Sequence, residues 1–243
     1  MKKILLVHGW NYMNYSSTNC TDAWANRSEF VTKLSNHFIV VKFNLPGFCG
    51  EKDPPLPWNL DDFVLFLENK IKQEKPDFIL GYSFGAAVVL KWKSKSKNIK
   101  IKTLLVSPAI IRKYSVKEVS NLKRILKLLF TEKFICLLRE IYLSKIIKNP
   151  YFSNATKVMK ETYRNIVSID LRNDFINLEN PTSLIYGEND SATPPDLIKE
   201  SLKYCKAQHR LHLITNGGHD IANTNTNELI SIILKEREVY NEL

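Results

Sequence analysis

The 243-residue chain predicts an α/β fold: a mostly parallel sheet of about six strands, flanked by helices and interrupted by an inserted helical segment. Three observations carry that expectation. Short apolar, β-branched runs alternate with stretches of helical periodicity, the order expected when parallel strands are joined by crossover helices. A glycine-flanked strand-to-helix junction occupies residues 81–85. Between residues 108 and 178 strand character stops and only helical patterns remain. A sheet of this size commonly forms one domain, so residues 1–107 and 179–243 are expected to build one core, with 108–178 as a helical cap, or lid, inserted into it.

Taken in order, Lys3 to Val7 is the first strand. Asp22 is placed to cap a helix reaching about Ser35, because Trp24, Phe30, Val31 and Leu34 share one face at helical spacing. Phe38 to Phe43 reads as the second strand, with His37 at its start. Prolines at 46, 54, 55 and 57 and glycines at 47 and 50 make residues 45–58 a long loop near the edge of a site. Asn59 or Asp61 opens the next helix. Asp77 to Tyr82 is the third strand, followed by a helix from Ala86 to about Lys93, and Ile101 to Ser107 is the fourth.

After Pro108 the period changes. Ser115 and Glu118 form a capping-box pattern ahead of one helical stripe, Val119, Leu122, Ile125, Leu126 and Leu129. A second helix spans about Phe134 to Ile147, Asn149-Pro150 breaks it, and a third runs from about Asn154 to Asp170. Pro181 to Gly187 and Arg210 to Ile214 restore strand character around a helix announced by Pro194 and Pro195. A last helix covers about Asn225 to Val239.

Composition narrows the class. With 44% apolar and 25% charged residues the chain is neither disordered nor fibrous. No apolar run approaches the 18 or so residues of a spanning helix. The run Ile4 to Val7 behind Met1-Lys2-Lys3 is too short for a signal peptide, which points to the cytoplasm. Cysteines at 20, 49, 136 and 205 form no C-x-x-C pair, so neither a zinc ribbon nor a thioredoxin-like site is expected, and the four read as free thiols. Nothing here calls for a metal or a cofactor.

The formal charge of +10 is unevenly placed. Residues 108–180 hold 14 Lys or Arg against 7 Asp or Glu, and lysines at 91, 93, 95, 97, 100 and 102 form a second basic run. That run reads as a solvated helix end and loop. With no RNA- or DNA-binding motif beside it, a specific nucleic-acid partner is not expected, and an anionic membrane surface is at most a weak contact.

The chemistry concentrates at Gly81-Tyr82-Ser83-Phe84-Gly85, a G-x-S-x-G pattern between the apolar strand Phe78-Ile79-Leu80 and a helix. Small flanking residues allow the tight turn that lifts a serine above the sheet. A lone hydroxyl is a poor nucleophile at neutral pH, so Ser83 needs a histidine base and a carboxylate that sets the histidine's tautomer. Of the histidines at 8, 37, 209, 212 and 219, only His219 follows a late strand in a glycine-containing loop, Asn216-Gly217-Gly218. His209 and His212 flank or occupy that strand, where packing or solvent accounts for them. For the acid, Asp190 lies past the strand that ends at Gly187, with Glu188 as the rival, while Asp220 would point away from its neighbour His219.

These motifs, with Val7-His8-Gly9-Trp10 after the first strand, resemble the α/β-hydrolase superfamily in chain order, over nearly all of the chain except the insertion. The capped serine esterases are the nearest type. The resemblance implies a Ser83–His219–Asp190 triad acting on a small-molecule acyl ester through an acyl-enzyme. It also implies an oxyanion hole made by the backbone N–H groups of Trp10 and Phe84, with His8 as a structural loop residue. Thioesterase, acyltransferase and carbon–carbon hydrolase activities share the same triad, and a fold of this kind that only binds a ligand is the reading from another class. With Lys3 to Val7 as the strand that leads into His8-Gly9, the family's usual N-terminal hairpin is not expected here. The insertion stands where the family carries its cap, and Phe130, Phe134, Tyr142, Tyr151, Phe152 and Tyr163 are the candidate lining of an acyl pocket. The cap's positive charge is expected to steer anionic esters only modestly, because a Debye length of about 8 Å screens exposed lysines.

Overall fold

The structure is a computed structural model that describes residues 1–15, 19–96, 100–111 and 154–241. Short runs that are apolar on both faces, such as residues 4–7, 78–80 and 104–106, need cover on two sides, which the interior of a layered α/β sheet supplies. β1 (Lys3–Val7), β3 (Phe78–Tyr82), β4 (Lys102–Val106) and β5 (Ser183–Gly187) take the centre and are almost wholly buried. β2 (Ile39–Lys42) and β6 (Arg210–Ile214) form the half-exposed edges. The six strands are all parallel, in the order β2-β1-β3-β4-β5-β6.

Alternation along the strands divides the core in two. Leu5, Val7, Ile79, Leu105, Leu184 and Tyr186 face one layer, which contains α2 (Leu60–Glu74), α3 (Phe84–Lys95), α4 (Lys157–Val167), α5 (Arg172–Ile176) and α6 (Pro195–Leu202). Ile4, Leu6, Phe78, Leu80, Leu104 and Ile185 face the other, built from α1 (Ser28–Ser35), the short α7 (Ile221–Thr224) and α8 (Thr226–Asn241). Fully buried rings such as Phe30, Phe63 and Phe78 each stabilise these layers by roughly 1.5–3 kcal/mol. The chain leaves β1 for β2 on one side and returns to β3 on the other. That reversal opens a crevice at the carboxyl ends of β1 and β3, the place where α/β sheets bind ligands.

Several boundaries differ from the sequence reading for local reasons. Asp22 does not cap an α-helix: its Oδ1 accepts from the Trp24 N–H, a 3-10 turn at Ala25–Arg27 follows, and α1 begins at Ser28. His37 lies in the turn before β2 rather than in the strand. Asn59 is the cap of α2 and forms a reciprocal capping box with Asp62. The third helix expected after Pro108 corresponds to α4, capped by the Thr156 hydroxyl. The expected helices around Ser115, Glu118 and Phe134 to Ile147 lie outside the described residues, as does Cys136.

The cysteine expectation needs correction. Cys20 and Cys49 form a disulfide, while Cys205 is free. The two lie 29 residues apart in the loops after β1 and β2, and their Cα atoms meet at 4.4 Å because adjacent parallel strands end side by side. Sequence spacing gives no hint of such a pairing. The disulfide also removes the free-thiol support for a cytoplasmic location. No described helix is long and apolar enough to cross a membrane.

Candidate active site

Ser83 sits between β3 and α3 with φ 52° and ψ −111°. That backbone is costly for a residue with a Cβ, of order 1–3 kcal/mol, and persists only where the surroundings over-determine it. Here the Ser83 N–H donates to the Val106 carbonyl of β4 at 2.9 Å, and the Ser83 carbonyl accepts from Ala86 and Ala109. The turn also needs close backbone approach. A Cβ on Gly85 would stand 2.2 Å from the Val7 carbonyl oxygen, so only glycine lets α3 start this near to β1.

The structure brings the three sequence-predicted side chains together. His219 Nε2 lies 3.0 Å from Ser83 Oγ, and its Nδ1 lies 2.9 Å from Asp190 Oδ2. Each comes from the carboxyl end of a different strand: Ser83 after β3, Asp190 after β5 and His219 after β6. Glu188, the rival acid, is exposed and contributes its N–H to the Ile214 carbonyl instead. Asp220 turns away from the imidazole toward Arg27, Tyr82 and Asn223.

Asp190 is buried yet held as a carboxylate. Burial alone would raise its pKa, but hydrogen bonds from His219 and Thr193 outweigh that and bring it below the ordinary value. Its Oδ1 accepts from the Ala192 and Thr193 N–H groups at 2.9 and 2.8 Å, and its Oδ2 accepts from the Thr193 hydroxyl at 2.7 Å. A carboxylate facing Nδ1 fixes the tautomer: Nδ1 carries the proton, leaving the Nε2 lone pair toward Ser83. The His219 carbonyl accepts from Tyr82 Oη at 2.6 Å and from Ser107 Oγ at 3.0 Å, which anchors the loop to β3 and to the end of β4.

The two oxyanion candidates flank Ser83. Phe84 is the first residue of α3, so its N–H has no acceptor within the helix. Gly9 packs on the nucleophile, its hypothetical Cβ only 3.1 Å from Ser83 Cβ, and the following Trp10 lines the same cleft as Ser83. His8 shapes this segment: Nδ1 donates to the Gly9 carbonyl at 2.8 Å, and Nε2 accepts from the Leu45 N–H at 2.9 Å. Burial lowers its pKa to about 4, so it is neutral at physiological pH and is not a second base.

The Trp10 indole N–H donates to Tyr15 Oη, and its ring meets the edges of Phe48 and Phe84. Tyr163, of the expected acyl-pocket lining, reaches this cluster with its ring centroid 5.6 Å from that of Trp10. Phe130, Phe134, Tyr142, Tyr151 and Phe152 lie outside the described residues. His209 stacks on Phe175 and His212 pairs with Glu236, both away from Ser83. Among the described residues, no three His, Cys, Asp or Glu side chains gather as a metal site.

A cleft of about 420 Å³ opens over Ser83 and His219, with Gly9 and Trp10 on one side. Asn11, Asn14, Asn26 and Arg27 also contribute to its wall. Sequence reasoning did not find that wall, nor Thr193, Tyr82 and Ser107. Thr193 had a local signal, standing three residues after Asp190 in a turn before Pro194, whereas the others are assembled by strand order alone.

A model of the alpha/beta hydrolase family matches residues 4–229. No curated protein sequence matches the chain. Among solved structures, it is similar to an esterase from Exiguobacterium antarcticum at 16% identity and a TM-score of 0.69, covering 97% of this chain and 91% of that one. A variant meta-cleavage product hydrolase from Pseudomonas fluorescens IP01 gives 17% identity and 0.65, covering 100% and 91%. A bromoperoxidase from Bacillus anthracis gives 16% and 0.68, covering 100% and 92%. At such identities the likeness speaks for the fold alone.

Proposed function

This chain belongs to the alpha/beta hydrolase family, and from that premise we propose that it is a serine hydrolase of carboxylic esters working through Ser83, His219 and Asp190. The observation that carries the reading is the continuous relay from Ser83 Oγ to His219 Nε2 at 3.0 Å and from His219 Nδ1 to Asp190 Oδ2 at 2.9 Å. Ser83 Oγ attacks the ester carbonyl as His219 Nε2 takes its proton, and Asp190 stabilises the imidazolium. The backbone N–H groups of Trp10 and Phe84 receive the developing oxyanion, an effect worth roughly 2.7–4 kcal/mol per donor. His219 returns the proton to the departing alkoxide. Water, deprotonated by the same imidazole, then attacks the acyl-enzyme and regenerates Ser83.

The same relay serves thioesters, acyl transfer or cleavage beside a ketone, and the esterase named above is a relative in fold only. Relative turnover of esters, thioesters and vinylogous diketones ranks these chemistries. The deciding experiment is fluorophosphonate labelling with peptide mapping. Stoichiometric modification of Ser83 is expected, lost in Ser83→Ala together with ester turnover while the circular dichroism spectrum is retained. Labelling of the Ser83→Ala variant at the wild-type rate would remove Ser83 as nucleophile.

A further inference from the structure

We propose that the cleft selects an uncharged, hydroxyl-bearing substrate, a polyol or sugar-like ester, by means of three oriented asparagine amides: Asn11, Asn14 and Asn26. The inference rests on the serine-hydrolase reading above and names the substrate class for that site.

Each amide has one end committed to the protein through a partner that can play only one role. Asn11 Oδ1 accepts from the Met13 N–H at 3.0 Å, which leaves its NH2 group as the free end. Asn26 Oδ1 accepts from Arg27 Nη1 at 3.2 Å, again leaving the NH2 group. Asn14 is reversed: Nδ2 donates to the Ala23 carbonyl at 3.2 Å, so its free end is the carbonyl oxygen. All three line the cleft that holds Ser83 and His219. With these ends uncommitted, the three residues can supply donors and an acceptor together to a group bound in the cleft, and the bond that each amide already makes lowers the ordering cost of binding.

Charge on this wall is cancelled rather than offered. Arg27 Nε and Nη2 both reach Asp220 Oδ1, at 2.9 and 2.8 Å, and the guanidinium lies 4.5 Å over the Tyr82 ring. A carboxylate or phosphate, which only accepts, would find its cation already neutralised and would face the Asn14 carbonyl and the half-exposed Asp220 carboxylate. An alkyl chain would strip water from three amides and return no hydrogen bonds. Hydroxyl groups, each a donor and an acceptor, match the mixed set. The volume of about 420 Å³ lies within the range of small-molecule pockets and admits a polyol or a sugar-sized group.

The test uses protection of Ser83 from fluorophosphonate labelling, which needs no turnover, together with kcat/KM. Matched pairs place the hydroxyls on either side of the scissile bond: glyceryl against propyl butyrate, and methyl 2,3-dihydroxypropionate against methyl propionate. A carboxylate-bearing butyrate, the 2-carboxyethyl ester, is the charged control. The hydroxylated member of at least one pair is expected to protect at about tenfold lower concentration than its deoxy partner and than the charged control. In Asn11→Ala and Asn26→Ala that ratio should fall toward one, through KM more than kcat where turnover is measurable. Equal protection within both pairs, tighter binding of the deoxy or charged ester, or an unchanged ratio in both variants would overturn the proposal. Absence of fluorophosphonate labelling would instead remove the hydrolase reading on which it stands.

Discussion

Asp190 has to remain ionised inside the protein and still present one oxygen to His219. Two backbone N–H groups and the Thr193 hydroxyl meet that requirement, offsetting the burial that opposes charge. Asp190→Asn would keep the shape but turn an amide NH2 toward Nδ1 or impose the other tautomer. A loss of about 10⁴-fold in ester kcat is expected, against a change within about twofold for exposed Glu188→Gln. Thr193→Val, which removes one donor to Asp190 Oδ2, should fall between them. Kinetics of the three purified variants decide the matter, and a larger loss for Glu188→Gln would transfer the role. At this scale the sequence exposed the groups with a chemical signature: a serine between glycines, a histidine in a glycine loop, a carboxylate past a strand. It concealed Tyr82 and Ser107, because a hydroxyl that holds the His219 carbonyl looks like any other strand or loop hydroxyl until the sheet brings the loop after β6 to the ends of β3 and β4.

Among elements, the strands were the most legible, because short β-branched runs buried on both faces have few alternatives. The loops were less so, and the disulfide shows why. Cys20 and Cys49 meet because β1 and β2 are paired, a fact of topology that local patterns do not carry. The same junction is reinforced by the Cys49 N–H donating to the Asn14 carbonyl at 2.7 Å, by Asn44 donating to the Thr21 and Cys49 carbonyls, and by the bridge between Tyr15 and Phe48. It therefore fixes the loop that bears Asn11 and Asn14. Closing a loop of this length removes roughly 3.6 kcal/mol of unfolded-state entropy. Cys20→Ser should lower the thermal midpoint by about 10 °C under non-reducing conditions, and reductant should lower the wild-type midpoint by a similar amount. A midpoint indifferent to both changes, or alkylation of Cys20 and Cys49 in unreduced protein, would remove the disulfide from the account.

Across the whole molecule, buried bases shift the balance of protonation between folded and unfolded chains. His8 and His209 are both lowered to about 4, chiefly by burial, while in the unfolded chain each binds a proton near 6.5. Between those values the unfolded state carries more protons, so stability rises with pH from 4 to 6.5 and is lost as pH falls. The Lys93 amine, buried against Thr103 and the Pro181 carbonyl, is lowered to about 7, first by burial and then by the nearby Lys102 charge. From about pH 7 up to its ordinary 10.5 the unfolded chain again holds the extra proton, so stability continues to rise. Glu236 acts at the acid end. Burial opposes its charge, but His212, Arg210, Ser183 and Lys102 hold its pKa well below the usual value, and that stabilisation is lost progressively as pH falls below its ordinary 4.5. Relief of self-repulsion among the net +10 charges as pH approaches the sequence pI of 9.3 acts in the same direction. The expected profile is a folding stability that climbs from acid into mildly alkaline solution, measured by urea midpoints across pH 4–9. His8→Gln keeps an acceptor for the Leu45 N–H and removes one titrating ring, so the slope between pH 4 and 6.5 should drop by about one proton while the slope above pH 7 stays. Lys93→Met should flatten the upper limb and leave the lower one unchanged. A wild-type profile that peaks near pH 5, or variants that alter the opposite limbs, would show that these buried bases do not govern the stability of the fold.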